Sequence, residues 1–128
     1  MLRWLLSIVF IAHGFAHLVG FVVPWGLWEV KDAPYKTTLL ADRIDVGDIG
    51  IRVFGLLWLV TALAFIIAGI AGFAGQLWWP FAAVVAVFSL VLGILGLPET
   101  RIGVVVDAVI LILLTLGVRV GWLLTSQG

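Results

Sequence analysis

Residues 4–28 read WLLSIVFIAHGFAHLVGFVVPWGLW and contain no Asp, Glu, Lys or Arg. A helix needs about 20 apolar residues to cross a bilayer, so this stretch is long enough to span one. His13 and His17 lie in its middle, and a spacing of four places both imidazoles on one face of a helix. Because ionisable side chains at membrane depth are costly and are often functional, the stretch predicts both a membrane span and a site.

The composition extends this interpretation to the whole chain. Hydrophobic residues make up 64% of the 128 residues, charged residues make up 11%, and the mean hydropathy is +1.30. Soluble domains are about 25% charged, so we predict an integral membrane protein whose main partner is the lipid bilayer. The formal net charge of zero gives no reason to expect nucleic acid as a partner. The absence of cysteine excludes disulfides and thiolate metal sites.

Four apolar segments predict an all-α fold, an integral membrane four-helix bundle that forms one domain over residues 1–128. The predicted spans cover residues 4–23, 51–73, 77–97 and 102–124. Helices are expected because the edges of open sheets leave backbone groups unpaired in lipid. The first connection, residues 24–50, is long for a bundle and carries most of the charged side chains.

The predicted bundle is asymmetric across the membrane, because the first and third connections lie at the same end. Five basic residues belong to this polar end: Lys31, Lys36, Arg43, Arg52 and Arg101. The opposite end has two, Arg3 and Arg119. The positive-inside rule therefore favours a multi-pass protein of the cell membrane with its polar end on the cytoplasmic side.

Depth along the helices brings polar side chains into the same half of the membrane. With a rise of about 1.5 Å per residue, His17 lies roughly 10 Å below the polar end, His13 roughly 16 Å and Asp107 roughly 8 Å. Arg52 opens the second span at that end, and the third span adds only Ser89, which is placed deeper. Because a lone carboxylate in hydrocarbon must protonate or find a cation, we expect Asp107 to pair with Arg52, with His17 as the alternative partner.

The candidate ligand-binding or proton-handling residues are therefore His13, His17, Arg52 and Asp107. Structural roles stay open for all four, because histidines can hydrogen-bond to a neighbouring helix and an ion pair can fix helix register. Two histidines four residues apart can clamp a metal ion, but the intervening Glu of a metalloprotease helix is missing and no metal site is predicted. Both imidazoles project from one face of one helix, so they cannot bind opposite sides of a haem iron. Neither a cofactor nor a catalytic residue is assigned.

Asp45 and Asp48 are the secondary polar candidates, just before the second span. The spacing and the closing Glu of a calcium-binding EF-hand loop are missing. A carboxylate at a helix N-terminus accepts hydrogen bonds from free amides, so Asp48 is predicted to cap the second helix.

Three segments carry a resemblance to known membrane proteins. Residues 13–20, HGFAHLVG, look like the first helix of DoxX-like proteins, which carry His-Gly followed three residues later by Lys or His. Residues 52–59, RVFGLLWL, and 97–103, LPETRIG, resemble uncharacterised bacterial four-helix proteins that are often loosely labelled transport permeases. The resemblance implies four spans and, for some DoxX relatives, work with quinone-linked sulfur oxidation.

Four functions are compatible with these residues. The favoured one is binding of a hydrophobic or amphipathic small molecule, quinone-like or lipid-like, at the polar end. The alternative is a non-catalytic accessory subunit of a larger membrane complex, with other membrane subunits or a second copy of the chain as partners. A homodimeric proton-coupled transporter and a membrane redox enzyme are less favoured, and the chain is not expected to be an enzyme. A binder predicts a cleft between the first, second and fourth spans that reaches His13 or His17, whereas an accessory subunit predicts a packed cluster without a pocket.

Overall fold

The computed structural model describes residues 2–75 and 79–119 of the chain. Its elements are α1 (Leu2–His17), α2 (Val19–Val22), β1 (Thr38–Leu39), β2 (Ile44–Asp45), α3 (Gly47–Phe73), α4 (Trp79–Leu95) and α5 (Arg101–Arg119). The prediction of a mainly helical chain is confirmed, with four long helices in the described residues. The predicted start of the third span at 77–78 and the predicted end of the fourth at 120–124 lie outside them.

Three helical segments are long and apolar enough to cross a membrane. They are Arg3–Val22, which joins α1 to α2, together with Gly47–Phe73 and Arg101–Arg119. Helix α4 is also apolar but has 17 described residues, or roughly 26 Å at the usual helical rise. The hydrocarbon core of a bilayer is about 30 Å thick. The described part of α4 is shorter than this thickness and shorter than the three candidate spans.

The helices pack in two pairs that meet through α3 and α4. Helix α1 packs mainly on α3, and α4 packs mainly on α5. The first pair comes close at Gly14, where an added Cβ would lie 2.8 Å from the backbone oxygen of Ala62. The larger core cluster lies toward the end of the helices remote from the first connection, where Phe10, Phe65 and Ile110 are fully buried. A smaller cluster that includes Phe54 and Trp58 lies toward the connection. Helices α1 and α5 have little direct contact with each other, and residues of both line a cavity.

A short β-hairpin in the first connection closes over the end of α4. Strands β1 and β2 pair antiparallel, and the turn between them holds Leu40, Ala41 and Asp42 at positive φ. The amides of Leu40 and Ala41 donate to the carbonyl oxygens of Leu95 and Leu97, at 2.8 and 3.0 Å. The bond to Leu95 satisfies a carbonyl that the end of α4 leaves unpaired, and the bond to Leu97 holds the turn that follows. The all-α prediction missed the hairpin because two-residue strands carry no periodic signal.

Helix α3 begins at Gly47, and Asp45 accepts the hydrogen bond from its first amide. The distance from the Gly47 nitrogen to Asp45 Oδ1 is 3.0 Å, and the Thr37 hydroxyl donates to the same oxygen at 2.9 Å. These two bonds, the backbone one first, hold the pKa of Asp45 below its ordinary value. Asp48 lies in the first turn and accepts from the Tyr35 hydroxyl. The prediction that Asp48 caps this helix was wrong, because the chain turns at Gly47, with φ +71°, one residue before Asp48.

Candidate functional site

Four buried polar side chains from three helices meet at one level of the protein. They are His13 and His17 of α1, Ser89 of α4 and Asp107 of α5, which we call the polar network. Ser89 and Asp107 are 0% and 1% exposed, and the two histidines are also buried. Burying polar groups is costly unless each finds a partner, so their hydrogen bonds decide what the network can do.

Every member of the polar network is hydrogen-bonded to another. His13 Nε2 lies 2.8 Å from Asp107 Oδ1, and the Ser89 hydroxyl oxygen lies 2.7 Å from Asp107 Oδ2. The same hydroxyl oxygen lies 2.6 Å from His17 Nε2. His17 Nδ1 donates to the backbone oxygen of His13 at 2.8 Å. Both carboxyl oxygens of Asp107 and both ring nitrogens of His17 are therefore in use.

Aromatic side chains of α3 hold the imidazoles in place. The Trp58 ring lies 4.7 Å from the His17 ring, and the Phe65 ring lies 5.0 Å from His13 and 5.3 Å from His17 between centroids. Trp58 in turn packs against Gly20, where an added Cβ would lie 2.4 Å from the indole ring. Helix α3 thus supplies the apolar wall of the site and no polar member of the network.

Arg52 is not part of the site, and the predicted pair with Asp107 was wrong. The buried face of α3 contains Ile51, Phe54 and Trp58, and Arg52 lies about 100° away from Ile51 on the exposed face. Its guanidinium carbon lies 5.7 Å from the centroid of the Trp25 ring. Asp107 is satisfied by His13 and Ser89 instead.

Ser89 is the member whose role the sequence interpretation missed. It lies six residues before the end of α4 at Leu95, roughly 9 Å below the connection end. Asp107 lies six residues after the start of α5 at Arg101, at the same depth of roughly 9 Å. Counting depth from the C-terminal end of the third span would therefore have placed Ser89 level with Asp107. His17, the alternative partner of Asp107, reaches the carboxyl group only through this hydroxyl.

A cavity of about 580 Å³ extends from the polar network to the first connection. His13 and His17 form its inner wall, and helices α1, α3 and α5 and the connection form its sides. Most of the lining is apolar, including Phe54 and Trp58 of α3 and Val106 of α5. The cavity also opens sideways between α1 and α5, because Ala12, Ala16 and Ile102 line it and are exposed at the same time.

The mouth of the cavity carries an ion pair. Lys36 Nζ lies 2.9 Å from Glu99 Oε1 and 3.5 Å from Asp42 Oδ1. The hydrogen bond to Glu99 is the main reason that the pKa of Lys36 lies above its ordinary value. Lys36 and Glu99 both line the cavity, so its outer end holds one positive and one negative side chain whose charges cancel. Its inner end is lined by the two histidines.

The polar network contains side chains that can bind a metal ion, but in this structure they are hydrogen-bonded directly to one another. One ligand atom from each of His13, His17 and Asp107 lies within 4.8 Å of the other two, and two imidazoles with a carboxylate are a common donor set for transition metals. Such an ion would lie about 2.0–2.2 Å from each ligand atom. It would have to displace the bond from His13 to Asp107 and the Ser89 bridge. The arrangement seen is that of a hydrogen-bonded network.

Comparison of the chain with protein-family models, curated proteins and solved structures finds no match. The resemblance to DoxX-like proteins therefore stays a prediction, and the site is interpreted from its own geometry.

Proposed function

We propose that this chain is a multi-pass membrane protein that binds a small amphipathic molecule, quinone-like or lipid-like, in the cavity below its first connection. The observation that carries the proposal is the cavity itself, which reaches His13 and His17. Its volume of about 580 Å³ falls in the usual range of ligand pockets, about 300–1,000 Å³. Such pockets are mostly apolar with a few placed polar groups, as this one is.

The outer faces of the helices support a location in the membrane. Large apolar side chains such as Ile8, Val60 and Ile112 are more than half exposed. A surface of this kind is unfavourable in water and favourable against lipid tails. The excess of Lys and Arg at the connection end favours the cytoplasmic side for the mouth of the cavity.

The side opening between α1 and α5 supports a ligand that arrives from the bilayer. A lipid-soluble molecule would enter between Ala16 and Ile102 and reach His13 without crossing the polar connection. The accessory-subunit alternative predicts a packed cluster, and the cavity favours the binder over it.

Filling the cavity tests the proposal. Gly103 lines the cavity, and an added Cβ there meets only the Cε1 atom of His13, at an ordinary 3.9 Å. Gly103→Leu therefore places a bulky side chain in the cavity from a position where the Cβ itself meets no clash. Val105→Leu, on the exposed face of the same helix, is the matched control.

The measurement is the binding of two probes to the protein in lipid nanodiscs, a short-chain prenylated benzoquinone and a lysophospholipid, followed by quenching of tryptophan fluorescence or by calorimetry. We expect at least one probe to bind, Gly103→Leu to weaken its binding tenfold or more, and Val105→Leu to leave it unchanged. Absence of binding by both probes, or equal binding to the two variants, would overturn the proposal.

A further inference from the structure

The number of protons in the polar network can be counted from its hydrogen bonds. His17 Nδ1 must carry a proton, because its partner is the backbone oxygen of His13, which can only accept. Three contacts then remain: His13 with Asp107, Ser89 with Asp107, and Ser89 with His17. Each contact is a hydrogen bond only if one proton lies in it.

An ionised Asp107 with two neutral histidines supplies one proton too few. His13 Nε2–H and the Ser89 hydroxyl provide two protons for three contacts. One further proton is needed, and it brings the total charge of the network to zero. A charged network without it would leave one contact between two bare acceptors in a buried site, which is strongly unfavourable.

The added proton has two positions that satisfy all contacts. In one, a doubly protonated His17 donates to Ser89, and Ser89 donates to the Asp107 carboxylate. In the other, a protonated Asp107 donates to Ser89, and Ser89 donates to a neutral His17. The two forms differ by the movement of two protons along bonds of 2.6 and 2.7 Å, with the same heavy-atom positions. Atoms and charge balance, and no further reactant is involved.

His13 has the same protonation in both forms. His13 is neutral in both forms, so its single ring proton lies on Nε2, which donates to Asp107 Oδ1, and Nδ1 carries none. Nδ1 has no hydrogen-bond partner among residues 2–75 and 79–119 and is not sealed from the cavity that His13 lines. The adjoining ring carbon Cε1 lies 3.9 Å from the position of a Cβ on Gly103, so this edge of the ring faces the α5 side of the cavity.

We propose that the cavity selects an apolar molecule with a hydroxyl group, phenolic or alcoholic, whose O–H donates to His13 Nδ1. This inference rests on the proposed function and narrows its ligand class to molecules with an O–H donor, a quinol in place of a quinone or a lipid with a free hydroxyl. A carbonyl or ether oxygen would face the bare Nδ1 acceptor without a proton between them. The charged side chains that line the cavity in the described chain, Lys36 and Glu99, are paired with each other at the mouth.

Three probes with the same alkylated ring and different oxygen groups test the preference for a hydroxyl group in nanodiscs at neutral pH. They are a 4-alkylphenol, its methyl ether and the 4-alkylacetophenone. We expect the phenol to bind at least tenfold more tightly than the other two, which is about 1.4 kcal/mol. In His13→Phe the three affinities should converge. Val105→Leu should keep the preference.

Nitrogen-15 NMR of the histidine rings in the wild-type protein supplies a second measurement that does not depend on a variant. We expect His13 Nδ1 to have the shift of an unprotonated nitrogen, and the phenol to move that signal while the ether does not. A protonated His13 Nδ1, or equal binding of phenol and ether, overturns this inference and leaves the proposed function standing. Absence of binding by these three probes and by those of the cavity-filling test overturns both.

Discussion

His13 Nε2 of α1 lies 2.8 Å from Asp107 Oδ1 of α5, across 94 residues of chain. This bond joins the two helices at the level where the cavity between them ends. His13 and His17 line the inner end of the cavity, and Ser89 and Asp107 hold them from behind through hydrogen bonds. The same contact therefore fixes the relative position of α1 and α5 and sets the chemistry of the inner wall.

Replacing Asp107 separates hydrogen bonding from charge. In Asp107→Asn, the amide oxygen can accept from His13 and the amide N–H can donate to Ser89, so all contacts of the neutral network are kept. We expect a loss of less than about 1 kcal/mol in the free energy of unfolding, whereas Asp107→Leu should lose about 1–3 kcal/mol because the buried N–H of His13 is left unpaired. Unfolding in mixed micelles gives both values. Equal losses for the two variants would contradict the network described here.

Replacing Arg52 tests whether its side chain is independent of Asp107, in contrast to the ion pair predicted from the sequence. Its side chain is exposed and contacts the Trp25 ring, and an exposed cation–π contact contributes about 0.5–1 kcal/mol. Arg52→Ala should therefore lower the free energy of unfolding by no more than that, and its effect should add to that of Asp107→Asn. A coupling of several kcal/mol between the two substitutions in a double-mutant cycle would restore the buried ion pair and refute the present geometry.

Replacing Gly20 tests whether the Trp58 ring packs against this helix beside His17. An added Cβ would lie 2.4 Å from the indole, so Gly20→Ala must displace the ring. Overpacking of this kind costs about 1–3 kcal/mol, which thermal unfolding in detergent would measure. Gly103→Ala is the matched control, because its Cβ meets only ordinary contact at 3.9 Å and alanine favours a helix. If both alanines are equally tolerated, Trp58 does not pack as described.

Asp45 gives a prediction for acid stability. Hydrogen bonds from Gly47 and Thr37 hold its pKa low in the folded protein, so their stabilising effect is present above the ordinary pKa and is lost as the pH falls through the lowered one. Wild-type thermal stability should therefore fall as the pH drops below about 4, and Asp45→Asn should lose this part of the dependence. Asp32→Asn removes a carboxylate from the same connection and controls for net charge. Identical pH curves for wild type and Asp45→Asn would exclude the cap.

The sequence predicted three of the four members of the polar network as candidates. Polar residues in an apolar helix stand out by their cost, which identified His13, His17 and Asp107. Their depths followed from the helical rise. The choice of partner could not be predicted, because it depends on how each helix is rotated. Arg52 and Ile51 are neighbours in sequence, yet only Ile51 faces the core.

Features without a periodic pattern were not predictable in the same way. The hairpin of β1 and β2 depends on three residues at positive φ, and its turn pairs with the end of α4, distant in sequence. The cavity lies between α1 and α5, which each pack mainly on another helix, a relation that single-helix patterns do not contain. The polar groups are therefore recognisable in the sequence, while tertiary packing decides which of them meet.

Photoaffinity labelling of the cavity is the most direct test that a small amphipathic molecule binds there. An alkylphenol that carries a diazirine would be photolysed with the protein in nanodiscs, and the labelled residues would be located by mass spectrometry. We predict labels on the cavity-lining residues of α1 and α5, such as Ala12, Ala16, Ile102 and Val106, lost in Gly103→Leu and kept in Val105→Leu. Labels spread over the outer faces of the helices and unchanged by Gly103→Leu would contradict the account.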